Sequence, residues 1–128
     1  MSDKQDDLVD IQFVKNSHSV IIQNIKVVFT TLVGENKQQK IFVCQEALRS
    51  IDQLMMFLIG FEQPQWLMDC QRWLKWYLDN CYVEDANSIL LDNLLPLREP
   101  LLNHRWELVK AEQMDEFYWL YHLRRTLE

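Results

Sequence analysis

Hydrophobic residues between Gln65 and Tyr82 recur at intervals of three and four positions, which is the spacing of one helix face. The residues that share this face are Trp66, Leu67, Cys70, Trp73, Leu74, Tyr77, Leu78 and Cys81. Pro64 suits a helix start, because its φ is fixed and it has no N–H to leave unpaired. The pattern therefore predicts an amphipathic, tryptophan-rich helix, with Met68, Trp76 and Tyr82 on or near its polar side.

The segment before this helix is ambiguous, because its apolar residues fit both a strand and a helix. Valine, isoleucine and threonine predominate between Val9 and Val43, whereas leucine dominates from Cys44 onward. Since β-branched side chains favour strands, we predict an N-terminal antiparallel β-meander over residues ~10–44. The alternative is helical, because a three-and-four stripe also links Ile21, Ile22, Ile25, Val28, Phe29, Leu32 and Val33.

A helix is predicted on each side of the tryptophan-rich one. The first spans Gln45–Gly60 and leaves Met56 and Phe57 on its polar side. The second is short, spans Ala86–Leu95 and is capped by Asp85.

A last helix is predicted from about Leu101 to Leu127. Pro96 and Pro100 bracket a rigid connector before it, because proline disrupts helix interiors. The aromatic run FYWLY at 117–121 covers every side of this helix. The predicted fold class is α+β, a meander followed by a layer of three to four helices. The alternative is an all-α bundle of about five helices.

Length and charge bound the possible functions. The chain has 128 residues, which fits one globular domain over 9–128 after a disordered acidic N-terminus at 1–8. The net charge of −6 argues against nucleic-acid binding, which depends on neutralising phosphates with basic residues. No apolar run is long enough to cross a membrane, and the first ten residues are polar.

The sequence lacks the spacings that metal and nucleotide sites require. It contains no CxxC, HxxxH or ExxH pattern, and its two glycines are too few for a phosphate-binding loop. The cysteines Cys44, Cys70 and Cys81 lie in apolar surroundings, which is typical of reduced, unreactive thiols in a cytoplasmic protein. We therefore expect no metal, no cofactor, no catalytic residue and no enzymatic activity.

Partner binding is the function that the pattern favours. Large apolar and aromatic residues lie off the predicted core faces, and such side chains are enriched at protein interfaces. The candidate contact residues are Trp76, Tyr118, Tyr121, Met56, Phe57 and Tyr82. The prediction is an acidic cytoplasmic protein of the inhibitor, immunity, chaperone or adaptor type. It would occlude a surface of another protein, for example a basic one, or form a homo-oligomer, with no membrane involved.

The alternative function is small-ligand binding or catalysis in a pocket. It would lie between the tryptophan-rich helix and the last helix, lined by Trp73, Tyr77, Arg105 and Glu112. Apolar walls with a few convergent polar groups are typical of such pockets.

Overall fold

The computed structural model describes residues 2–109, with side chains described from residue 11 onward. Four α-helices occupy this part of the chain: α1 Ser2–Leu32, α2 Lys37–Phe57, α3 Gln65–Asn80 and α4 Ala86–Asn103. The described residues contain no strand, so the fold is all-α. The prediction of an α+β fold with a β-meander over residues ~10–44 was therefore wrong, and its all-helical alternative has the observed class.

Burial explains why the β-branched segment forms a helix. The inward positions of α1 keep three-and-four spacing over Val14, His18, Ile21, Ile25, Val28 and Leu32, each of them buried. Helix propensities of ordinary residues differ by at most about 0.7 kcal/mol, whereas burying one valine or isoleucine side chain contributes about 1.5–3 kcal/mol. Tertiary burial along one stripe therefore outweighs the local preference of these residues for strands.

Helices α1 and α2 form an antiparallel hairpin. Asn24 of α1 donates a hydrogen bond to Ser50 of α2 across 3.1 Å, and the rings of Phe13 and Phe57 are 4.7 Å apart. Asn36 caps α2 by accepting a hydrogen bond from the backbone N–H of Gln39. Helix α2 thus begins eight residues earlier than the predicted Gln45 start, and its first eight residues belong to the segment that was predicted to be a β-meander.

The tryptophan-rich helix is confirmed as α3. It follows Pro64 at the N-cap, and its buried residues are Trp66, Leu67, Cys70, Leu74 and Tyr77. The preceding loop contains Gly60 at a φ of 90°, a conformation that glycine adopts without steric cost.

Helix α4 continues through both of its prolines, so the predicted connector at residues 96–100 was wrong. Pro96 and Pro100 are exposed, as is Asp92, whose carbonyl would have accepted a bond from the missing N–H of Pro96. Water can therefore bind the carbonyls that the prolines leave free. On the opposite side, Leu94 and Leu101 remain buried.

Each helix packs against two others, since α1 contacts α2 and α4, and α3 contacts the same two helices. The Tyr77 hydroxyl donates a hydrogen bond to Oδ1 of Asn87 across 2.7 Å, and this bond joins α3 to α4. After α4 the chain leaves the helical conformation at His104, and the backbone N–H of Glu62 donates to the carbonyl of Val109 across 2.7 Å. Residues 104–109 thereby return to the loop between α2 and α3. None of the described helices combines the length and apolar character needed to span a bilayer.

Candidate functional site

Four aromatic side chains meet at one end of the bundle. His18 comes from α1, Trp66 from α3, and His104 and Trp106 from the segment that follows α4; we call them the His18 cluster. Their ring centroids lie between 4.5 and 6.4 Å apart. Rings at these distances are in direct contact. The cluster is therefore filled by its own members, and its evident role is to attach residues 104–109 to α1 and α3.

Hydrogen bonds fix the protonation state of His18. The indole N–H of Trp106 lies 3.0 Å from Nδ1 of His18, and Nε2 of His18 lies 2.7 Å from the carbonyl oxygen of Leu101. An indole nitrogen only donates and a carbonyl only accepts. Nδ1 must therefore be unprotonated and Nε2 must carry the proton. The ring is neutral, and it satisfies one of the free carbonyls near the C-terminus of α4.

Burial also favours the neutral form of the His18 ring. It lowers the pKa of His18, and the neighbouring His104 lowers it further, while the bond to the Leu101 carbonyl opposes the shift. The pKa of His104 is also lowered by burial. Both rings are therefore neutral at pH 7. Trp66 is buried, and its indole N–H has no hydrogen-bond acceptor, so its contacts within the cluster are aromatic.

A second feature is an apolar surface on the α1–α2 hairpin, which we call the hairpin face. On α1 it comprises Phe13, Val20 and Val27, seven residues apart and 48%, 53% and 44% exposed. On α2 it comprises Phe42 and Met56, 59% and 46% exposed. The seven-residue spacing places the α1 members on a single line along the helix.

Contacts between the two helices locate this face. Phe13 touches Phe57, and Asn24, which lies between Val20 and Val27 on the helix surface, bonds to Ser50. The exposed α1 residues thus border the seam with α2. An open groove of about 400 Å³ lies beyond Met56, between α2 and α3, and it is lined by Gln45, Leu48, Arg49, Asp52, Gln53, Met56 and Leu78. The hairpin face is therefore long and shallow, which suits an extended helix better than an enclosed small molecule.

Charge is distributed unequally over the bundle. Residues 11–57 carry five basic and three acidic side chains, a net charge of +2, whereas residues 58–109 carry four basic and eight acidic ones, a net charge of −4. On α1 the described side chains include Lys15 and Lys26 but no acidic residue. The one ion pair on the outer surface of α2 joins Glu46 to Arg49 at 3.6 Å, among the described residues. Residues 11–57 thus have a positive character that the charge of the whole chain conceals, whereas residues 2–10 at the start of α1 carry four aspartates and one lysine.

The residues predicted to bind a partner are dispersed. Met56 belongs to the hairpin face, and Phe57 beside it is half-buried against Phe13. Trp76 is half-buried on α3 and packs edge-on against Trp73, with centroids 5.8 Å apart. Tyr82 is 74% exposed in the turn after α3. Tyr118 and Tyr121 lie outside the described residues.

The predicted pocket residues are placed as follows. Tyr77 is buried and its hydroxyl is bonded to Asn87, with burial raising its pKa to about 12. Trp73 packs on Trp76, and Arg105 is exposed in the segment after α4. Glu112 lies outside the described residues. The structure brings Trp73 and Tyr77 onto one helix, and the ligand pocket stays a prediction.

Sequence reasoning missed the two features just described. His18 occupies a buried position of the α1 stripe, between Val14 and Ile21, and a polar residue on an apolar stripe is a signal that it needs partners. The prediction of a β-meander over residues ~10–44 obscured this signal, because the stripe appears only with helical spacing. Val20 and Val27 were hidden for the same reason, because helical spacing is needed to align them with Phe13.

Two of the three cysteines have the buried thiols that the sequence predicts, and Cys81 is half-buried. Cys44 and Cys70 are buried, and burial raises the pKa of each thiol to about 12. Within the described residues, no three histidine, cysteine, aspartate or glutamate side chains come together as metal ligands. No protein-family model matches the chain, and neither a curated protein nor a solved structure shows significant similarity to it.

Proposed function

We propose that this protein is a non-catalytic binding domain that receives an amphipathic helix of a partner protein on the hairpin face. The observation that carries the proposal is the line of Phe13, Val20 and Val27, each about half exposed beside the seam with α2. Isolated exposed valines are ordinary. A straight series that borders the seam between two helices over about four helical turns is a surface on which another helix can align.

Packing geometry supports a helix as the bound element. A helix laid on the seam presents apolar side chains every three or four residues, and these side chains fill the depressions between α1 and α2. Phe42 and Met56 would cover the side of the added helix that faces α2. Burying such large side chains contributes about 1.5–3 kcal/mol each before ordering costs.

Local charge defines the class of partner. Residues 11–57, which include the hairpin face, carry a net charge of +2, and Lys15, Lys26 and Lys37 among them are exposed. Complementary potentials accelerate encounter and select the orientation of binding. The partner helix should therefore carry glutamate or aspartate beside its apolar stripe. The negative charge of the whole chain favours a basic partner, whereas the exposed lysines beside the hairpin face favour an acidic one at this surface.

Two designed peptides test the proposal. Both have leucines at the a and d positions of three heptads; one carries glutamates at e and g, and the other carries lysines, so that neither pairs with itself at pH 7. Fluorescence anisotropy with the full chain should show that the glutamate peptide binds about tenfold tighter than the lysine peptide, and more weakly in high salt.

Matched variants distinguish the effect of the apolar surface on binding from the effect of added negative charge. Val20→Asp with Val27→Asp should weaken binding of the glutamate peptide at least about tenfold. Ser19→Asp with Thr30→Asp makes the same charge change at exposed polar positions of α1, and binding should then stay within about twofold. Equal losses in both variants, or binding to neither peptide, would refute the proposal. A dimer in sedimentation that Val20→Asp with Val27→Asp disrupts would show instead that the face receives a second copy of the chain.

A further inference from the structure

His18 can form hydrogen bonds with both Trp106 and Leu101 only when its ring is neutral. A second proton on the ring would occupy Nδ1, the atom that accepts the indole N–H of Trp106 at 3.0 Å. Two N–H groups would then point at each other, and the bond would be lost. The bond from Nε2 to Leu101 survives protonation, so only the attachment of Trp106 depends on the charge of the ring.

Among the residues whose side chains the structure describes, none offers His18 an anion that would compensate a positive charge. The ring is 7% exposed, and it contacts Trp66 of α3, His104 and Trp106. The charged groups on the elements that pack there are Lys15 on α1, Asp69 on α3, Arg98 and Glu99 on α4, and Arg105 and Glu107 after α4. Asp69 is already bonded to Gln65 and Arg72, and the charged side chains on the other elements are exposed. The nearest titratable neighbour is His104, which would repel a second charge.

We infer that residues 104–109 form a pH-responsive latch, which is closed while His18 is neutral and opens when His18 becomes protonated. The segment is suited to local release because it is not helical and is held by side-chain contacts and by one backbone bond, from Glu62 to Val109. The rest of the bundle is held by an apolar core to which all four helices contribute. Opening would expose Trp106 and the C-terminal end of α4, and would separate Val109 from the loop between α2 and α3.

Nuclear magnetic resonance of the full chain tests the latch between pH 8 and pH 5. At pH 8 the ring nitrogens of His18 should report a proton on Nε2 and none on Nδ1. As the pH falls below about 6.5, the ordinary histidine pKa, the indole resonance of Trp106 should move toward its solvent-exposed value. Relative to the intrinsic exchange rate at each pH, amide exchange of residues 104–109 should accelerate at least about tenfold while the amides of α2 stay protected.

Two variants test whether the release of residues 104–109 depends on His18 and not on His104. Trp106→Phe removes the bond to neutral His18, so the pKa of His18 should rise, because a hydrogen bond to the neutral form opposes protonation. His104→Gln should preserve the acid-induced release, since His104 is not part of the hydrogen-bonded chain. The inference is overturned if residues 104–109 stay protected to pH 5, if α2 loses protection together with them, or if His104→Gln abolishes the release.

Discussion

Trp106 donates its indole N–H to Nδ1 of His18 across 3.0 Å, although 88 positions separate the two residues in the chain. This bond connects the first helix to the segment that follows the last described one. It also requires the imidazole to be neutral, since the indole cannot accept a proton. In the proposed latch, this hydrogen bond is the contact of residues 104–109 that protonation of His18 would break.

His18 should make the stability of the whole protein pH-dependent. Because burial lowers its pKa in the folded state, the unfolded chain binds the proton more readily. The stabilisation is complete above about pH 6.5, the unfolded pKa, and it is lost as the pH falls from there toward the lowered folded pKa. Urea unfolding at pH 8, 6.5 and 5 should show this decline. His18→Phe should be less stable at pH 8, and its stability should change less over this range.

The bond between Tyr77 and Asn87 should contribute measurably to the packing of α3 on α4. Tyr77→Phe removes the hydroxyl from a buried site and leaves the Asn87 oxygen without its 2.7 Å partner. We expect a loss of about 1 kcal/mol in the free energy of unfolding. Tyr82→Phe is the matched control, because Tyr82 is 74% exposed, and its effect should stay within about 0.5 kcal/mol. A larger effect for Tyr82 would contradict the assignment.

Replacing Pro96 with alanine should stabilise the protein. The new N–H can donate to the carbonyl of Asp92 in the interior of α4, where proline is about 3 kcal/mol less favourable than alanine. Since proline also restricts the unfolded chain, we expect a net gain of about 1–2 kcal/mol in thermal or urea unfolding. Pro64→Ala, at the N-cap of α3, should give no such gain. A loss of stability in Pro96→Ala would indicate that α4 does not continue through this position.

The three cysteines should differ in reactivity. Cys44 and Cys70 are buried, with thiol pKa values raised to about 12, whereas Cys81 is half-buried. A thiol reagent at pH 8 should therefore modify Cys81 first, and the other two only when the protein opens. Cys81→Ser should remove the fast phase, and Cys44→Ser should leave it unchanged. Rapid modification of all three thiols in the native protein would show that the core is more accessible than the structure indicates.

The success of sequence reasoning varied with the strength of the local signal. In α3 the periodic pattern, the start at Pro64 and the residue types agree, and the helix was predicted nearly to its ends. In α1 the β-branched residues favoured a strand, whereas the three-and-four spacing favoured a helix. The prediction rested on the residue types, but the segment is helical. In α4 the local rule for proline was sound, but exposure of Pro96 and Pro100 lets the helix tolerate them.

The candidate sites show the same division. Met56 could be placed on the polar side of its helix from spacing alone, and it is exposed on the hairpin face. Val20 and Val27 could not, since their exposure depends on which helices flank α1. The His18 cluster lay beyond local reasoning, because Leu101 and Trp106 are more than 80 residues distant from the ring that binds them.

The sequence by itself determined the tryptophan-rich helix, the acidic overall charge and the apolar setting of the cysteines, because these follow from residue type and from spacing within one segment. Only the tertiary structure decided that residues 11–32 are helical, that valines of α1 remain exposed, and that His18 is neutral between Trp106 and Leu101. The physical reason is that burial and hydrogen-bond partners are supplied by distant segments, and their free energy exceeds the local preferences that a sequence displays.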